Sequence, residues 1–203
     1  MITQTTETQS KLTPTSTLQL LKEGNKRFID KKMESRDLHE QVSITSGGQA
    51  PMAIVLGCVD SRVPLEVVFD MGIGDIFGAR VAGNIVNEDI LGSMEYACKV
   101  AGSKVVLVLG HTKCGAVTSA CKGVELGNIT ALLSKIQPAV KKIIKDGDEV
   151  TSDKVEEVVV LNTKMAMENI RKESPILAEM EDNGEIIIVG GIYDVSSGSV
   201  NFL

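Results

Sequence analysis

Two short segments carry residues able to act together chemically. Gly57-Cys58-Val59-Asp60-Ser61-Arg62 places a thiol, a carboxylate and a guanidinium side by side. Gly110-His111-Thr112-Lys113-Cys114-Gly115 places an imidazole three residues before a second thiol. Zinc favours thiolate and imidazole ligands in a tetrahedral set, and three protein ligands leave one position for water. A His-x-x-Cys pair can direct both side chains to one metal from a turn entering a helix, with Cys58 as the third ligand from a neighbouring strand end. A helix starting just after Cys114 would favour its thiolate. Against this stands a plainer reading: cysteine is often buried as a small hydrophobe, and a lone histidine is usually structural. Spacing alone leaves both open. Cys98 and Cys121 sit inside helical patterns and are expected to be packed and inert.

Asp60 and Arg62 read as a surface ion pair, worth little, or as a carboxylate serving a metal. In the second role Asp60 accepts a hydrogen bond from metal-bound hydroxide, or takes the open coordination position itself in a closed state. Arg62 would hold it ionised and aimed through a bidentate pairing. A phosphatase cradle fails, because Asp60 would put a negative charge where phosphate must sit.

Strand-like runs position these residues. Met52–Leu56 stops at Gly57-Cys58, and Val105–Leu109 stops at Gly110-His111. Asp75–Arg80 is weaker, Ile186–Val189 stops at Gly190-Gly191, and Ser199–Phe202 reads as an edge strand. Helical patterns cover Pro64–Asp70, Asn87–Ala101, Ala116–Cys121, Thr130–Lys145 and Ser152–Lys172, with a solvated loop around Asp146–Asp153. Strands apolar on both faces that alternate with helices predict an α/β fold with a mostly parallel central sheet covered by helices. Four strands are expected to be parallel, with a fifth at the edge. Ligands in such sheets gather at the carboxyl ends of strands, where the winding reverses. Cys58 and His111 both stand there.

Residues 1–13 are polar and read as a frayed, flexible N-terminus. Residues 14–203 read as a single catalytic domain, with an N-terminal helical arm over 14–48. Within the arm Leu18, Leu21, Phe28 and Ile29 form a helical stripe behind Pro14, suited to packing on a partner subunit.

The chain has 203 residues, enough to bury a sizeable core. No apolar run approaches the length of a membrane span, and no apolar stretch among the first residues reads as a secretory signal. A cytoplasmic location and no membrane partner are expected. Net charge is −6 with few aromatics and no basic cluster, so nucleic acid is a poor partner.

The segments Cys58–Arg62, Arg80-Val81-Ala82-Gly83-Asn84 and His111–Gly115 together resemble the β-class carbonic anhydrases. The resemblance runs from about Gln49 to Cys121 and resumes at Val189–Asp194. Residues 122–185 carry little of it. It implies zinc on Cys58, His111 and Cys114, and a dyad of Asp60 and Arg62. The implied substrate-lining residues are Gln49, Phe77 and Tyr96, in a cleft shared across a homodimer or a dimer of dimers. Each also has a plainer reading, Gln49 as a loop amide and the two aromatics as core. The implied reaction is hydration of carbon dioxide to bicarbonate by zinc-bound hydroxide, with Phe77 and Ala82 as a dry wall. Some members carry a Trp before the first ligand that helps bind an inhibitory bicarbonate. Val55 stands there in this chain, so that inhibition is expected to be missing. Beyond His111 there is only His39 as a possible proton shuttle. Two readings remain beside this one: a hydrolase of the same fold acting on carbonyl sulfide or carbon disulfide, and a non-catalytic protein with structural zinc or a Cys58/Cys114 redox pair.

Overall fold

The computed structural model describes residues 3–203; Met1 and Ile2 lie outside the described residues. Five strands form one sheet: β1 (Ala53–Gly57), β2 (Ile76–Arg80), β3 (Val105–His111), β4 (Ile187–Tyr193) and β5 (Val200–Phe202). Their order is β2-β1-β3-β4-β5, the first four parallel and β5 antiparallel to β4. The parallel sheet and its edge strand are as the sequence led us to expect.

Every residue of β1 and β3 is buried, because helices cover both faces of the sheet. Alternation along the strands divides the core. Ala53, Val55, Val105, Leu107 and Leu109 face one layer. There they meet α2 (Pro14–Ile29) through Leu21 and α4 (Leu65–Val68) through Leu65 and Val68. Ile54, Leu56, Val106 and Val108 face the other. Their neighbours come from α5 (Glu88–Glu95), α9 (Ser152–Glu173) and α10 (Pro175–Asp182). A third cluster sits at the carboxyl end of the strands. It joins Cys58 and Cys114 to α6 (Gly115–Cys121), α8 (Gln137–Ile143) and the first half of α9.

The arm lies tightly on the body. A Cβ on Gly24 would stand 1.8 Å from the Phe69 carbonyl oxygen, so only glycine lets α2 approach that turn. Asn25 donates to the Val68 and Gly198 carbonyls and accepts from Val200 N–H. Buried Asp70 receives Arg27 and Arg36, each at 2.5 Å, which supplies the partners a buried carboxylate needs.

Several expectations need correction. The N-terminus is not frayed over its described part. Thr6–Ser10 forms α1, closed by a capping box at Thr5 and Thr8, and buried Gln9 donates to the Pro51 and Ala101 carbonyls. Ile29 falls off the stripe of α2 and is exposed. The single helix expected over Thr130–Lys145 is two, α7 (Gly127–Ser134) and α8, because Pro138 has no N–H to continue the first. The helix expected to Ala101 leaves α geometry after Glu95 for a π-helical turn, Tyr96–Val100. The helix α10 was not foreseen, although Ser174 caps it and Pro175 opens it.

Candidate metal centre

Cys58 follows β1 directly, and His111 ends β3, the parallel neighbour in which Leu109 stands beside Gly57. Since β2 pairs on the far side of β1, the winding reverses between β1 and β3, and the crevice of the fold opens between these two residues. Cys114 is the N-cap residue of α6. The ligand atoms of Cys58, His111 and Cys114 all lie within 4.8 Å of one another, and all three residues are buried. Their exposures are 4%, 0% and 1%.

The hydrogen bonds show what such a cluster needs. His111 Nδ1 lies 2.9 Å from the Thr112 carbonyl oxygen, so it carries the proton and donates. That leaves the Nε2 lone pair buried, with no hydrogen-bond partner among the described residues. The Cys114 hydrogen bond holds the Cys58 thiol well below the ordinary range, helped by His111 and by the N–H groups of Gly83 and Asp60. The same bond, with burial, pushes Cys114 up, against the N–H groups of Val117 and Ala116 at the start of α6. Burial works against an imidazolium at His111, but the nearby Cys58 sulfur, the Thr112 carbonyl and the charge of Asp60 raise its pKa. Two soft sulfurs and an orphaned imidazole nitrogen fit a zinc ion, whose binding releases thiol protons.

Asp60 stands beside the cluster, its Oδ2 3.9 Å from His111 Nε2. Arg62 grips it with Nε on Oδ1 at 2.9 Å and Nη2 on Oδ2 at 2.8 Å, and its backbone N–H also reaches Oδ1. Chiefly through that side-chain pairing, the Asp60 pKa is lowered to about 2. Arg62 also donates to the Lys113 carbonyl, tying the two ligand loops together.

Some contributors escaped the sequence reading. Arg80, the last residue of β2, donates through Nε to the Cys58 carbonyl and through Nη2 to the Asp60 carbonyl, fixing the loop between them. A guanidinium at a strand end beside β1 was the signal. The Gly83 N–H reaches Cys58 Sγ at 3.3 Å, and Asn162 of α9 holds the Gly83 carbonyl. Nothing local in the sequence marks Asn162. Cys98 and Cys121 are buried and are not part of the ligand group, and burial pushes the Cys98 thiol up to about 12.

The residues expected to line substrate fall in three places. Ala82 opens the 3-10 turn Ala82–Asn84, whose Gly83 touches Cys58. Phe77 and Tyr96 meet edge to face at 6.1 Å and line a cleft of about 710 Å³ with Ile54, Ala79 and Ile90. No metal-cluster residue lines that cleft. Gln49 is exposed and borders a separate hollow with Gln4, Thr5 and Ile44. Within one chain Phe77, Tyr96 and Gln49 do not gather around the metal cluster, whereas Ala82 stands next to it. His39 lies exposed on α3 (Leu38–Thr45).

Comparison with known proteins decides the family. The profile of the carbonic anhydrase family matches residues 53–200, a span that contains all three ligands. The chain belongs to that family. Carbonic anhydrase 2 of Mycobacterium tuberculosis is 33% identical over 199 residues, covering 91% of this chain and 90% of its own. The carbonic anhydrase of Mycolicibacterium smegmatis is 32% identical over 92% of each chain. Among solved structures, a β-carbonic anhydrase of Aspergillus fumigatus superposes with a TM-score of 0.73 at 28% identity, covering 81% of each chain. The Coccomyxa β-carbonic anhydrase, solved with acetazolamide, gives 0.72 at 26% identity over 89% of this chain and 83% of its own. The described residues contain no helix long and apolar enough to cross a membrane.

Proposed function

We propose that this chain catalyses the reversible hydration of carbon dioxide to bicarbonate and a proton, with Cys58, His111 and Cys114 holding one zinc ion per chain. The observation that carries the reading is the orphaned Nε2 of His111, buried and facing two sulfurs at the reversal of the sheet. When bound, zinc lowers the pKa of water from about 15.7 towards 7 and so supplies a nucleophile near neutral pH.

The remaining roles fall to side chains. Asp60 accepts a hydrogen bond from the nucleophile and turns its lone pair towards carbon dioxide. Arg62 keeps that carboxylate charged and aimed. With both oxygens held by Arg62, Asp60 is engaged elsewhere than on the metal, which supports an open fourth position over a closed structural site. Ala82 and Phe77 give carbon dioxide an apolar wall, and Gln49 donates to the bicarbonate oxygen on which charge develops.

Gln49 and Tyr96 stand at the surface, so we assign the cleft to a homodimer or dimer of dimers in which a second copy completes each site. Exposed apolar side chains such as Tyr96 at 51% and Val100 at 70% suit such an interface. Residues 14–203 would act as the single catalytic domain. Four free cysteines suit a reducing compartment, so a cytoplasmic location belongs to the proposal.

Family membership and the ligand set do not favour the sulfide substrates or a redox pair. Assays on zinc-analysed protein separate these readings. One zinc per chain and turnover of carbon dioxide are expected. Turnover of carbonyl sulfide or carbon disulfide without carbon dioxide hydration would overturn the proposal.

A further inference from the structure

The helix α9 crosses the carboxyl end of β3 so closely that a Cβ on Gly110 would stand 2.3 Å from Thr163 Oγ1. The residue before it, Asn162, is 5% exposed. Its Nδ2 donates to the Gly83 carbonyl oxygen at 2.9 Å, across 79 residues of sequence. Gly83 has φ 69°, a left-handed conformation that glycine adopts freely. A Cβ there would come within 2.6 Å of Ile136 Cδ1. This constrained turn points the Gly83 N–H at Cys58 Sγ, 3.3 Å away.

A donor on a ligating sulfur sets the direction of its lone pairs and the charge it gives the metal. Groups one step behind the ligands can matter nearly as much as the ligands themselves. We propose that Asn162 is a positioning residue for the metal centre. By holding the Gly83 carbonyl it fixes the turn that keeps the Gly83 N–H on Cys58 Sγ, so that α9 orients a ligand it never touches. The inference rests on Cys58 being a zinc ligand. The plainer role, satisfying one buried carbonyl, would contribute stability and leave the metal unchanged.

The test uses full-length Asn162→Leu, which removes the donor at similar volume. Ile170→Val, in the same helix but packed in the Ile54–Val106 layer, serves as the control for lost stability. Zinc affinity is measured by chelator competition, and the thiolate-to-metal charge-transfer band is recorded on cobalt-substituted protein. Asn162→Leu should weaken zinc about tenfold or more and shift the band, with Ile170→Val matching the parent in both. Asn162→Ser, which keeps a shorter donor, should fall between. Parent-like affinity and band in Asn162→Leu would overturn the proposal, as would equal losses in Ile170→Val.

Should Asn162→Leu not fold, cadmium-loaded parent protein decides. A scalar coupling between the Gly83 amide proton and the metal supports the N–H to sulfur link, and its absence removes it. If the parent binds no zinc or cobalt, the metal-site reading itself fails, an outcome distinct from failure of Asn162 alone.

Discussion

The metal corner and the aromatic cleft are built on different terms. Cys58, His111 and Cys114 converge within one chain, from two adjacent strand ends and the start of one helix. Phe77 and Tyr96 also meet within the chain, yet their cleft has no metal-cluster residue in its lining, and Gln49 borders neither. On the proposed roles, a single copy carries what is needed to bind the ion, and a second copy completes the surroundings of the substrate. The difference teaches that the two halves of the function can be broken separately.

The largest effect should come from separating them on purpose. Cys58→Ser removes a ligand and should lower carbon dioxide hydration about a thousandfold or more, because the nucleophile is lost. Gln49→Ala keeps the metal and should lose about a hundredfold, the usual scale for one donor to a developing oxyanion. If Gln49 serves the neighbouring copy's metal, mixing and refolding the two variants restores activity. In half of the pairs one site is then whole, and about a quarter of the parent rate should return. No recovery in mixtures shown by light scattering to have exchanged subunits would assign Gln49 no part in a shared cleft.

A smaller effect is expected at Asp60. Asp60→Asn keeps the shape but weakens the aim, and should lower kcat about a hundredfold at most with zinc retained. Its stability signature has a fixed sign. The folded pKa of about 2 lies below the ordinary carboxylate range, so the ionised pairing with Arg62 stabilises fully above the unfolded value. That contribution is lost as pH falls through the folded value. The melting difference between parent and Asp60→Asn should stay constant from about pH 5 to 8 and shrink only below about pH 4. A difference that vanishes already near pH 6 would contradict the pairing.

Bicarbonate should have the smallest effect. Val55 is wholly buried among Leu21, Phe69 and Leu107, leaving no side chain there to hold an anion. Added bicarbonate should inhibit only by mass action as product. Steep, cooperative inhibition would show an anion site near Val55 after all.

What could be read from the sequence follows the same division. The metal corner was legible because two of the three ligands follow a short apolar run ending in glycine, Leu56-Gly57-Cys58 and Leu109-Gly110-His111, and the third stands three residues after His111. In a parallel sheet that pattern sets position by topology alone. Helix boundaries were less legible. Pro138 broke a pattern whose apolar spacing continued, and α1 holds by a capping box and by Gln9 reaching Pro51 and Ala101, which polarity alone disguises. The part that Arg80 plays, though its segment carried the resemblance, and Asn162 altogether were missed for one reason. Each acts on backbone atoms of a distant loop, and such a contact leaves no spacing rule behind.

The most direct test is stopped-flow hydration of carbon dioxide by zinc-replete protein from about pH 6.5 to 9, bracketing the titration expected for water activated by zinc. Two thiolate ligands donate more charge than imidazoles would, so the rate should climb towards the alkaline end. In Cys58→Ser it should fall to the uncatalysed background at every pH. A flat background rate with one zinc bound per chain would contradict the assignment and leave Cys58, His111 and Cys114 as a structural metal site.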